Sequence, residues 1–120
     1  VYAAGKIYVH SAVAGHKIDA VRREAKVSFC VIDQDTVVPE TFTTHFRSVI
    51  AFGRVRLIED AAEKWQALTL LGAKYASGHA AACEEEIRQQ IARTVLLEIT
   101  VEHLTGKEAI ELVRKREAQG

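Results

Sequence analysis

The stretch FRSVIAFGRVRLIE, residues 46–59, reads as one long strand with Gly53 at its middle. Val49, Ala51, Val55 and Leu57 alternate with Ile50, Phe52, Arg54, Arg56 and Ile58, which is the period of an extended chain. A glycine inside such a strand marks a bulge, a barrel bend or a close approach by another backbone. No other feature restricts the fold as much, because so long a strand needs a sheet to join.

Three further strands are expected. Residues 6–10, KIYVH, follow a turn at Ala4 and Gly5. Residues 26–32, KVSFCVI, are apolar on both faces, which predicts a central strand with Cys30 as a buried hydrophobe. Residues 94–101, TVLLEITV, form the last. A short helix is expected from Lys17 to Glu24, with Ile18 and Val21 inward and Arg22, Arg23 and Glu24 facing water. Residues 33–42 hold the only proline and read as a loop. Asp60 is placed to cap a helix over residues 61–77, packed through Trp65, Leu68, Gly72 and Tyr75. Residues 84–92 form a helix with Glu84, Glu85 and Glu86 in its first turn, and the tail from Glu108 to Glu117 is helical. Strands and helices do not alternate regularly. The expected class is therefore mainly β or α+β, an antiparallel sheet or barrel with helices packed outside. Closing a barrel takes more strands than these.

The 120 residues suit one domain, residues 1–120. Lys+Arg and Asp+Glu are both 16, so no net positive field holds the chain to nucleic acid. No apolar run is long enough to span a membrane. The two cysteines, Cys30 and Cys83, have no metal-ligand spacing, and nothing calls for a disulfide. No His-x-x-x-His or Cys-x-x-Cys pair occurs, so no metal is expected. No Gly-x-Ser-x-Gly elbow supports a serine hydrolase. With no signal peptide visible, the expected location is cytoplasmic.

Two stretches carry the chemistry. His10-Ser11-Ala12 ends a strand, and Gly15-His16-Lys17 opens a helix. Exposed N–H groups and the positive dipole end at a helix start favour an anion. Lys17 and the Ser11 hydroxyl would add donors, and Arg22 and Arg23 a field. The competing reading is a capped helix with solvated charges, which spacing alone favours. Further on, Arg47 offers a planar fork and Ser48 a hydroxyl to a phosphate. The competing reading there is an edge strand that uses arginines against aggregation.

Taken in order, the motifs resemble the pyridoxamine 5'-phosphate oxidase-related FMN-binding split-barrel family, and within it the nitroimidazole-resistance branch. They are Tyr8-Val9-His10-Ser11-Ala12, Gly15-His16-Lys17, Val27-Ser28-Phe29, Phe46-Arg47-Ser48-Val49, Phe52-Gly53 and Thr105-Gly106-Lys107. The resemblance implies a split β-barrel that binds FMN at the interface of a homodimer. It implies that the FMN site draws on His10, Ser11, Ala12, Lys17, Arg47 and Ser48. It implies an FMN-dependent oxidoreductase, in some members a nitroreductase, acting on a small-molecule substrate. His10 is then the catalytic candidate, either orienting substrate or donating a proton, or else it ties the strand end to a carbonyl. Family members carry further strands upstream with a Gly-x-Pro-x-x-x-Pro stretch. This sequence has none, so an N-terminally incomplete barrel is expected. Alternatives on the same fold are a non-enzymatic flavin or haem binder or sensor, and an interaction module without cofactor.

Overall fold

The computed structural model describes residues 1–120. Five strands and four helices follow one another: β1 (Tyr2–Ala3), β2 (Lys6–Ala12), α1 (His16–Arg23), β3 (Lys26–Val38), β4 (Thr43–Ile58), α2 (Ala61–Tyr75), α3 (Ala80–Gln90), β5 (Thr94–Glu108) and α4 (Ile110–Gln119). The strands form one sheet in the order β1-β2-β5-β4-β3. β1 and β2 pair antiparallel, as do β2 and β5, the latter in the register Ile7 to Ile99 and Ser11 to Val95.

Strand β1 adds to the four expected, and its turn explains why. Ala4 (φ 51°) and Gly5 (φ 78°) are both left-handed. Two such residues give the twist that a tight hairpin needs. Strand β3 runs on to Val38 through the segment expected to be a loop. Thr36, Val37 and Val38 are strand formers, and Asp33 and Asp35 are exposed, Asp33 paired with Arg47. The single proline then opens a short 3-10 turn, Pro39–Thr41, whose end at Phe42 is left-handed (φ 52°).

The expectation that β3 is central is overturned. It is the sheet's outer strand beside β4, and Cys30 is exposed rather than buried. Its apolar faces are thus left open within one chain. Strand β5 continues to Glu108, seven residues past the expected end at Val101, and so includes Thr105-Gly106-Lys107. Helix α3 begins one turn early, at Ala80, because three alanines extend it. Glu84, Glu85 and Glu86 therefore lie beyond its first turn.

Asp60 does cap α2: its carboxylate accepts the Glu63 N–H at 3.0 Å. The inward face of α2 is in part the one expected: Trp65, Leu68 and Gly72 are partly buried. Lys64 and Ala67 are buried, with Leu68 and Leu71 partly so, whereas Tyr75 is exposed. Ala67 packs with Ile58 and Leu96, and Tyr8, Leu68 and Leu71 lie against that cluster. Lys64 is buried because its Nζ donates to the Ile91 carbonyl at 3.2 Å.

Two compact units result: Val1–Val27 with Gly53–Val101, and Ser28–Phe52 with Glu102–Gly120. In the first, Gly53 is the close approach that its position in the strand suggested. A Cβ placed there would meet the Thr100 carbonyl oxygen at 2.0 Å. Also in this unit, Glu98 is buried between two cations, accepting from Lys6 Nζ at 3.2 Å and from Arg56 Nη2 at 3.1 Å. Burial alone would raise its pKa. The hydrogen bonds from Arg56 and Lys6 outweigh that and hold the carboxyl below its ordinary range.

Candidate cofactor site

In the first unit, β2 ends in His10, Ser11 and Ala12, opposite Leu96, Val95 and Thr94 of β5. Val95 and Leu96 are fully buried and fix that strand end. His10 and Ala12 are exposed, and Ser11 is half-buried. The chain then turns through Gly15, whose φ of 141° suits only glycine, into α1. Ile18 anchors that helix in the core at 2% exposure.

No side chain caps α1. The capped-helix reading is therefore not what the structure contains: the first-turn N–H groups have no side-chain acceptor. Lys17 lies in this turn, exposed and without an ion pair. Arg22 and Arg23 supply less field than expected. Arg22 pairs with Glu59 at 2.8 Å, and Arg23 Nε donates to the Asp19 carbonyl. What remains is a bare helix start and one free ammonium, with the Ser11 hydroxyl at the end of the preceding strand, donor types suited to a phosphate.

The second unit carries Arg47 and Ser48 on β4. β4 lies between β5 and β3, so the edge-strand reading of its arginines does not hold. Arg47 is already engaged. Its Nε donates to Glu108 at 2.8 Å, its Nη2 lies 2.7 Å from the same carboxylate oxygen, and its Nη1 reaches Asp33 at 2.7 Å. Arg116 holds the other oxygen of Glu108 at 2.7 Å. Hydrogen bonds to Asp33 and Glu108 raise the Arg47 pKa, and Arg47 chiefly, with Arg116, lowers that of Glu108. A guanidinium has five N–H donors, so some of Arg47's capacity remains free.

The same unit holds a groove of about 360 Å³ lined by Ile32, Gln34, Asp35, Phe46, Ser48 and Lys107. Lys107 Nζ lies 5.4 Å from the centre of the Phe46 ring, within cation–π range. Phe46 and Ser48 come from one signature segment and Lys107 from another. Lys107 was not among the candidate residues. The signal for it lies in Thr105-Gly106-Lys107, beyond the expected strand end at Val101 and inside the observed β5. The structure shows no cluster of His, Cys, Asp or Glu able to hold a metal. It also has no helix long and apolar enough to cross a membrane.

Comparison with known proteins fits this architecture. The sequence profile of the pyridoxamine 5'-phosphate oxidase family matches residues 1–108. No curated protein matches the chain. Among solved structures, a candidate 5-nitroimidazole antibiotic resistance protein of Bacteroides thetaiotaomicron is 24% identical with a TM-score of 0.66, covering 88% of this chain and 62% of that one. A flavocytochrome of Azotobacter vinelandii is 22% identical with a TM-score of 0.68, covering 90% of this chain and 52% of that one. An FAD and haem binding protein of Mycobacterium smegmatis is 18% identical with a TM-score of 0.73, covering 90% and 55%. The chain thus spans less than two thirds of the length of these structures. At such identities the likeness establishes the fold: a split-barrel α+β architecture.

Proposed function

This chain belongs to the pyridoxamine 5'-phosphate oxidase family, and on that premise we propose that it binds FMN and is an FMN-dependent oxidoreductase, with nitroreduction as one candidate activity. The observation that carries the reading is the uncapped start of α1 with Lys17 free beside it. On this reading Ser11, Ala12 and Lys17 hold the phosphate, Arg47 and Ser48 are the further cofactor ligands that the resemblance implies, and His10 faces the substrate. A bound flavin supplies the electron chemistry, and the protein binds, orients and shields it. The working form is a homodimer. Val31, Ile32, Val37, Phe42, Val49, Ile50, Phe52 and Leu104 are all exposed in the second unit, an apolar surface that a second copy would cover.

Titration with FMN tests the ligand assignment. Lys17→Ala and Arg47→Ala should each weaken binding about tenfold or more, at ~1.5–3 kcal/mol per charged hydrogen bond. Lys74→Ala, an exposed lysine on α2, should leave it unchanged. Lys64 is no control, since it is buried and bonded to Ile91. Equal effects from Lys17 and Lys74 would remove the phosphate assignment. A second reading, non-enzymatic binding of flavin or haem, draws support from the likeness to the flavocytochrome and to the FAD and haem binding protein. A visible spectrum separates the cofactors: a double-humped flavin band or a sharp Soret band. Nicotinamide-driven turnover separates enzyme from carrier.

A further inference from the structure

A cavity of about 460 Å³ lies between α2 and α3, apart from every residue assigned to the flavin. It exists because the facing positions carry almost no side chain. Gly72, Ala73 and Ala76 on α2 and Ala80 on α3 offer at most a methyl group, while Trp65 and Ile87 complete an apolar wall. The helices cannot close further to fill it. Gly72 already meets Cys83 so closely that a Cβ there would lie 2.3 Å from Sγ. The short turn between the helices is pinned by His79 N–H to the Ala76 carbonyl at 3.1 Å.

The polar groups of the wall are largely satisfied within it. Thr69 Oγ1 donates to the Trp65 carbonyl at 2.7 Å, and Glu84 accepts from Arg88 at 3.0 Å. The side-chain groups left to a ligand are the Ser77 hydroxyl and the Cys83 thiol. The one charged group in the lining, Glu84, is already neutralised by Arg88, so the wall offers a charged ligand no free counter-charge. The volume lies within the range of small-molecule sites, and the lining is the apolar kind that such sites use. We propose that this cavity is a second binding site, for a small, neutral, largely apolar molecule, and that it is independent of the flavin.

The chain provides its own reporters. Trp65 is the only tryptophan, and Cys83 in the wall has Cys30, exposed in the other unit, as its control. The probe is N-phenyl-1-naphthylamine, a neutral aromatic dye. The expected result is saturable dye fluorescence with energy transfer from Trp65. Alkylation of Cys83 by N-ethylmaleimide should slow while that of Cys30 does not. Ala73→Phe should fill the space and abolish both effects, with circular dichroism confirming the fold. Ala80→Leu serves the same purpose if the first variant unfolds. Absence of saturable binding would overturn the proposal, as would binding that both fillers leave intact. Dye fluorescence without Cys83 protection would place the dye on the exposed apolar surface instead and likewise overturn it. Protection of Cys83 without dye, rising with protein concentration, would show that a second copy covers the cavity.

Discussion

The two units use apolar residues in opposite ways. The first buries Ile7, Ile18, Val55, Ile58, Ala67, Ile87, Val95, Leu96, Leu97 and Ile99. The second buries only Ala51, Ala109 and Leu112, yet it carries nine of the thirteen exposed large hydrophobics. It also carries a chain of ion pairs, Asp33, Arg47, Glu108 and Arg116, which solvent largely screens. The difference teaches that a strand apolar on both faces does not identify its own partner. β3 has the composition of a buried strand and is left open by its own chain.

The largest expected effect tests the core of the first unit. Leu96 is fully buried, and Leu96→Ala should cost about 2–5 kcal/mol in chemical denaturation. A loss under about 1 kcal/mol would mean that the stable core lies elsewhere.

Acid sharpens the contrast next. The folded pKa of Glu98 lies below its ordinary value. A depressed carboxyl contributes stability that is full above the unfolded value, roughly 4.3, and lost as pH falls through the folded one. Glu98→Gln should therefore flatten the fall in urea midpoint on acidification. Glu108 carries the same sign. Glu108→Gln should act less, because the Glu108 side chain is more exposed than that of Glu98, 15% against 8%, and solvent screens it more. Equal effects would erase the distinction between a buried and a surface network.

The smallest effect belongs to the open face. Ile32 is 66% exposed, and Ile32→Ser should change monomer stability by no more than about 0.5 kcal/mol. The same change should shift sedimentation toward monomer if a second copy covers β3. A large loss of stability in dilute monomer would show that Ile32 packs within its own chain.

Much of this was readable in the residues. Alternation around Gly53, the Asp60 cap and the buried Ile18 follow from local rules, and all are present. The site residues were readable only as types, because a lysine after a glycine carries no record of whether a carboxylate stands opposite. Lys17 proved free, and Arg47 proved engaged. Helix α2 shows the same limit. Its inward stripe includes a lysine, since the Ile91 carbonyl that accepts from it lies far along the chain. The ends of β3 and β5 were misjudged because pairing with a neighbour overrides weak local preference.

The contact at Gly53 also sets the alignment of two strands. A slip of one residue along β4 would bring Phe52 or Arg54 to the place where even a methyl group meets the Thr100 carbonyl. Such a slip would also turn every side chain of the strand to the opposite face. The missing side chain therefore works as a key cut for a single position. It lets β4 and β5 settle in one register and shuts out the neighbouring ones.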